Sequence, residues 1–423
     1  MTQNQHALFS PLTLGNGQEL SNRLCKAAME ENLADWGQVP GQRLRNLYGH
    51  WANGGAGLVL TGNVMVAADA LTGPGGVVLN QQADLDAFKR WAAAGKSETN
   101  QLWMQISHPG RQLYAAMHEQ AVSASAVALD MGGFSSMFAQ PRAMTLDEIN
   151  IAVERFAITA ELAERAGFDG VQIHAAHGYL VSQFLSPLVN LREDEYGGTL
   201  ANRSRFLFEI VDAVRARVGK GFAVAVKLNS ADFQKGGFDS DDASWVVEQL
   251  NHKAVDLVEL SGGSYESPAM QGNTRDNSST LRREAYFVDF ARQIARVSTL
   301  PIMVTGGITR RQVAEDALAH DQHGFGVSVL GLARAMAYFP DLPKRWQQGE
   351  WDVHVPSANW NNKTLAALAS MAMTKAQLDR MANNKQPTQR PNPVWCMLRD
   401  RIKTNLRTRR YRRWRGQAKN KLA

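Results

Sequence analysis

Between residues 24 and 345, short apolar runs alternate with segments whose apolar residues recur every three or four positions. The clearest unit begins at Thr145, which with Glu148 forms a capping box. Ile149, Val153, Phe156, Ala160 and Ala163 then fall on one helical face. Gly167 stands where such a helix would end, and 170–173 (Gly-Val-Gln-Ile) reads as a buried strand. The same unit recurs. A helix at 202–218 leads into a strand at 222–228, and one at 241–251 into 256–260. A helix at 285–297 leads into 301–305, and Thr309-Arg310-Arg311-Gln312 opens a helix leading into 326–330. Earlier strands are expected at 24–28, 57–61 and 102–106. Eight strands mostly separated by helices predict an α/β protein, a (β/α)8 TIM barrel. A doubly wound sheet would also alternate, but no strand leads into the G-x-G-x-x-G turn of a dinucleotide fold.

The pattern changes after Trp351. Residues 363–381 are rich in Ala, Leu and Met and predict a helix; 383–393 reads as a Pro/Asn/Gln linker, and a basic segment follows. The expected organisation is a barrel over 1–350 and a helical extension with a basic tail over 351–423, too small for a core of its own. With 44% hydrophobic residues in 423, the chain can build a large core. No run approaches the roughly 18 apolar residues of a membrane span. Residues 1–11 lack the basic-then-apolar order of a secretory signal, so a cytoplasmic location is expected. Cys25 and Cys396 are too few for a disulfide framework, an iron–sulfur cluster or a zinc site.

The formal charge of +6 is unevenly placed. From Arg399 to the end, eleven basic residues face one acid, a net +10, while the other 398 residues hold 35 basic and 39 acidic ones, a net −4. The basic character belongs to the tail.

Active groups of a barrel lie at the C-terminal ends of its strands, and phosphate is often held after strands seven and eight. After strand four comes His174-Ala-Ala-His177-Gly-Tyr179. Two imidazoles three residues apart can donate to one oxygen, polarising a carbonyl or stabilising an enolate, and Tyr179 can deliver a proton. A metal reading of the pair is weaker, because no third ligand accompanies it. Gly306-Gly307 after strand seven, and Ala333-Arg334 after strand eight, suit a phosphate. Lys227 points inward near the end of strand five and needs an anionic or electron-rich partner; Gln105 in strand three offers a two-way amide. These features describe a barrel for a phosphate-bearing molecule, without identifying a flavin.

The stretch from His174 to Gly198, with Gln183-Phe-Leu-Ser-Pro187 and Asn190-Leu-Arg-Glu-Asp-Glu-Tyr-Gly-Gly198, closely resembles the Old Yellow Enzyme family of FMN-dependent ene-reductases. Phe9-Ser-Pro-Leu12, Asn22-Arg-Leu24, Gln105-Ile-Ser-His-Pro-Gly-Arg111 and Asn202-Arg-Ser-Arg-Phe206 are similar in order and spacing, so the likeness covers about 8–345. It implies that His174 and His177 hydrogen-bond a substrate carbonyl and that Tyr179 protonates Cα. It implies that Gln105 and Lys227 contact the isoalloxazine ring, although many relatives carry Arg at the latter position. Gly306, Gly307, Ala333 and Arg334 would hold the FMN phosphate. Backbone at Ala27, Ala28 and Met29 would lie beside the flavin, and Gly62 at its pyrimidine edge. The implied activity is reduction of activated alkenes by NADH or NADPH in a ping-pong cycle.

Where many relatives place Cys or Thr beside the flavin, this chain has Glu30, expected either to lower the flavin potential or to contact substrate. Cys25 is expected to be inert core. Two other readings stay open from sequence: a flavin-free lyase or isomerase acting on a phosphorylated substrate, and a peripheral binder of anionic lipid or nucleic acid using the tail, where Trp395, Tyr411 and Trp414 interleave with Arg. A tail folded back on the acidic barrel is the plainer expectation. A homo-oligomer is a further possibility.

Overall fold

The computed structural model describes residues 7–267, 288, 290–320, 325–350 and 353–420. Eight parallel strands form a closed barrel: β1 (Leu24–Lys26), β2 (Leu58–Leu60), β3 (Gln101–Ser107), β4 (Gly170–Ala175), β5 (Ala223–Asn229), β6 (Leu257–Ser261), β7 (Ile302–Thr305) and β8 (Val329–Leu332). Each pairs with the next, and β8 returns to β1, where Leu330 lies opposite Leu24. The longest register is between β4 and β5, which sets His174 beside Lys227.

Side chains alternate along each strand, so every second residue enters the barrel. Cys25, Leu58, Trp103, Ala223, Leu257, Met303 and Val329 pack inside near the strand starts. Leu14 and Leu20, from a hairpin of Leu12–Thr13 and Glu19–Leu20, join them. This apolar plug leaves the opposite end of the barrel for polar groups. Cys25 is fully buried there, and burial pushes its thiol well above its usual value, as expected for inert core.

The outer layer includes α1 (Gln42–Ala52), α2 (Leu85–Gly95), α3 (Leu146–Arg165), α4 (Leu180–Leu185), α5 (Leu200–Arg217), α6 (Ser240–Leu250), α7 (Arg311–Leu318), α8 (Arg334–Tyr338) and α9 (Leu342–Gln347). The capping box at Thr145 and Glu148 is formed, and Ile149, Phe156, Ala160 and Ala163 are buried. Of the helix expected over 285–297, residues 290–295 are helical, while 285–287 lie outside the described residues.

Two expectations are corrected. The last strand is not 326–330 but Val329–Leu332, because pairing to Leu24, Cys25 and Lys26 runs through Leu330, Gly331 and Leu332. Thr309 does not cap its helix, which begins at Arg311 with Arg310 in extended backbone and no side-chain cap.

Two further helices follow, α10 (Lys363–Ala382) and α11 (Pro393–Asn420). Asp379 of α10 pairs with Arg43 of α1 and with Arg399 and Lys403 of α11. Near its far end α11 buries Tyr411 among Met65, Leu71, Val78 and Met117. The tail is therefore a docked helix, held partly by acids, as the plainer sequence reading expected.

Candidate active site

A row of polar side chains crosses the barrel interior above the apolar plug. Gln105 Nε2 donates to Gln172 Oε1 at 2.7 Å, and Gln172 Nε2 donates to Glu259 Oε2 at 2.7 Å. Lys227 Nζ lies 2.8 Å from Glu259 Oε1, so the cation's anionic partner is a neighbouring-strand carboxylate. All four residues are buried. A buried ion pair of this kind gains from hydrogen bonds to its remaining atoms, and the two glutamines carry that row from Glu259 Oε2 across to β3.

One step further along β4, His174 is 3% exposed. Its Nδ1 accepts the Ala176 N–H at 3.3 Å, which leaves Nε2 as the protonated, donating nitrogen. His177 follows β4 with a left-handed backbone, φ 62°. Asn229 Oδ1, at the end of β5, accepts the His177 N–H at 3.1 Å, and His177 Nε2 lies 2.8 Å from Ser261 Oγ at the end of β6. The two rings stand edge to face, 5.1 Å between centroids. Burial, then the nearby Lys227 cation, holds both imidazoles well below their usual range, so both are neutral near pH 7.

Tyr179 packs edge to face on His174 at 4.8 Å, and its hydroxyl meets the Tyr265 hydroxyl at 3.1 Å. Burial, followed by the Glu30 carboxylate, pushes the Tyr179 phenol well above its usual value. The structure thus brings together a neutral donor pair and a protonated phenol, as expected from the H-x-x-H-x-Y spacing.

The remaining expected positions divide. Gly306 and Gly307 form a bend directly after β7, the latter at φ 64°. Ala333 and Arg334 open α8 directly after β8. Ala27 continues β1 through its N–H to Leu332 O, with Ala28 and Met29 following. Gly62 follows β2, and its N–H is shared between Glu31 Oε1 at 3.0 Å and the Tyr48 hydroxyl at 2.9 Å. Glu30 Oε1 accepts the Thr72 hydroxyl at 2.5 Å, and its other oxygen lies 4.0 Å from Lys375 Nζ of α10.

Sequence reasoning missed Gln172, Glu259, Ser261, Asn229 and Tyr265. For four of these a signal existed. Gln172 shares a strand face with His174, Asn229 with Lys227, and Glu259 with Ser261, by the period of two. Tyr265 lies in a loop, where no such rule applies.

Residues 7–352 match the sequence profile of the NADH:flavin oxidoreductase / NADH oxidase family. The chain belongs to this family. An NADH-dependent flavin oxidoreductase of Hypocrea jecorina is 37% identical over 79% of this chain and 87% of its own length. One from Aspergillus parasiticus is 38% identical over 76% and 74%. A third, from a Neonectria species, is 38% identical, but this chain spans only 46% of its length. Among solved structures, an old yellow enzyme homologue from Zymomonas mobilis superposes with TM-score 0.67 at 25% identity, covering 81% of this chain and 92% of that one. Morphinone reductase in complex with tetrahydroNAD gives the same score and identity, over 82% and 92%. The barrel is thus that of the Old Yellow Enzyme group, an FMN and nicotinamide nucleotide oxidoreductase. Family membership removes the flavin-free reading.

The residues present fit FMN. Ser107 Oγ, Ser230 Oγ and Thr305 Oγ1, at the ends of β3, β5 and β7, are buried oxygens without a hydrogen-bond partner among the described residues, as is Gln112 Oε1 in the loop beyond β3. A polar planar molecule bound across the barrel mouth would satisfy such atoms. Gly306 and Gly307 have no hydrogen bond from their amides among the described residues. Paired amides of that kind suit a phosphate.

Proposed function

We propose that this flavin oxidoreductase reduces the C=C bond of electron-poor alkenes, α,β-unsaturated carbonyl compounds above all, with NADH or NADPH as electron source in a ping-pong cycle. The observation that supports it most is the neutral His174/His177 pair with Tyr179 packed against it. When bound, FMN supplies the hydride-accepting and hydride-donating chemistry that links nicotinamide to alkene.

The chain's own residues then divide the work. His174 and His177 bind the carbonyl oxygen, which gains negative charge only as hydride reaches Cβ. Neutral donors therefore favour the transition state over the ground state. Tyr179 holds its proton and delivers it to Cα. Tyr265 donates to the phenol oxygen as that proton leaves, offsetting the cost of a buried phenolate. Lys227, held by Glu259, and Gln105 would border the flavin ring, with the backbone at Ala27, Ala28 and Met29 beside it. Gly306, Gly307, Ala333 and Arg334 would hold the phosphate. Glu30, tied to Thr72 and close to Lys375, borders the substrate side.

The test is a two-stage anaerobic reaction of the FMN-loaded protein. NADH or NADPH should bleach the flavin absorbance, and a cyclic enone should restore it within seconds. If the bleached protein is restored only by oxygen and by no enone, nitroalkene or dienoate, the alkene-reductase reading fails.

A further inference from the structure

The apolar row on the outer face of α11 has no use in the fold or in the proposed chemistry. Val394, Trp395, Leu398, Ile402 and Leu406 are between 51% and 64% exposed. At 3.6 residues per turn they fall, with Arg401, Arg409 and Arg413, inside one sector of about 140°. These three arginines are exposed and make no ion pair among the described residues. Arg412, near the edge of the outward sector, donates to Ala116 O at 2.7 Å, but the opposite face does most of the docking. Tyr411 is buried there and donates to Ala68 O at 3.0 Å, Arg415 Nε donates to Glu119 Oε1 at 2.9 Å, and Arg399 and Lys403 hold Asp379. The helix therefore has a fixed orientation, with a long outward face, apolar in its first half and basic in its second. The 28-residue helix runs about 42 Å.

We propose that this face seats on an anionic lipid surface, with α11 lying in the plane of the membrane. An exposed apolar row of this extent marks an interaction site. Charge complementarity chooses the occupant. Arginines inside the apolar sector can sink their stems beside Leu398 and Ile402 while their guanidinium groups meet lipid phosphates. Duplex nucleic acid would satisfy the arginines but leave five large apolar side chains against phosphate and water. A second copy of this chain, meeting row to row, would bring like-charged arginines together across an apolar contact. No helix among the described residues is long and apolar enough to cross a membrane, so α11 rests on the surface rather than spanning it.

The experiment uses the full-length FMN-loaded protein, sedimented with phosphatidylcholine vesicles with and without an equal part of phosphatidylglycerol. Sedimentation should require the anionic lipid and weaken as salt is raised. Leu398→Gln/Ile402→Gln/Leu406→Gln and Arg401→Gln/Arg409→Gln/Arg413→Gln should each lower partitioning at least tenfold, with FMN content and NADH oxidation unchanged. Equal sedimentation with both vesicle types, or none with the anionic ones at low salt, overturns the proposal. So does an apolar-row variant that turns an oligomer into a monomer while vesicle binding is absent. Loss of duplex DNA binding in the arginine variant, with vesicle binding absent throughout, overturns it in favour of nucleic acid.

Discussion

His174 and His177 differ in how they are held, and that difference carries expectations of its own. The first is set by its own strand and the Ala176 amide, the second by Asn229 and Ser261 from the next two strands. Replacing both with Ala should leave FMN bound but abolish the long-wavelength charge-transfer band that a phenol produces on binding over the flavin. Each single change should lower turnover with an enone by roughly 10²–10³-fold, the usual loss on removing one donor to a developing oxyanion. Tyr179→Phe should slow flavin reoxidation by enone by about 10²–10⁴-fold, leaving reduction by NADH unchanged; rapid-mixing spectroscopy separates the two.

The histidines also set a pH dependence. Their folded values lie well below the unfolded value, and burial likewise lowers His108 to about 4. Between folded and unfolded values the unfolded chain binds more protons, so stability rises with pH there. Denaturant unfolding of the wild type should therefore show stability falling as pH drops below about 6.5. His108→Gln should flatten that slope. At this scale the H-x-x-H-x-Y spacing was legible because chemistry concentrates in one loop. The partners were not, because Glu259 and Tyr265 reach the site from other strands and loops, through closure of the barrel.

Among the elements, the units legible from sequence were those with chemical punctuation. Thr145 with Glu148 announced α3, and Thr145→Ala should cost about 1 kcal/mol in chemical denaturation, the ordinary worth of an N-cap. By contrast α1 starts after Gly41 with no side-chain cap and carries Gly49 inside it, so its periodicity was all there was to read. The β8 boundary was misplaced for a different reason. Gly326, Val327 and Ser328 are as strand-like as Gly331 and Leu332, and only pairing with β1 selects the later window. That register brings Gly331 against Thr305, where an added Cβ would lie 1.8 Å from Oγ1. Gly331→Val should therefore disturb β7 and β8 together and release FMN, measurable as free flavin fluorescence.

For the whole molecule, the split of charge seen in the sequence becomes a spatial arrangement: a basic helix tied to Asp379 of α10 and to Glu119 of the barrel. We propose that 1–350 and 351–423 act as one folding unit rather than two. Tyr411 is 0% exposed in an apolar cluster supplied by the barrel. Tyr411→Ala should therefore lower global stability by about 3 kcal/mol in a single cooperative transition. A separate early transition for the tail would argue for independence.

The central claim concerns which bond is reduced and where the proton comes from. With nicotinamide nucleotide deuterated at the transferred position, an enone should yield the saturated ketone with one deuterium at Cβ and none at Cα, read by proton NMR. In D2O with unlabelled nucleotide, the label should appear at Cα instead. Deuterium at the carbonyl carbon, giving an allylic alcohol, or nucleotide oxidation with the enone recovered intact, would contradict the account.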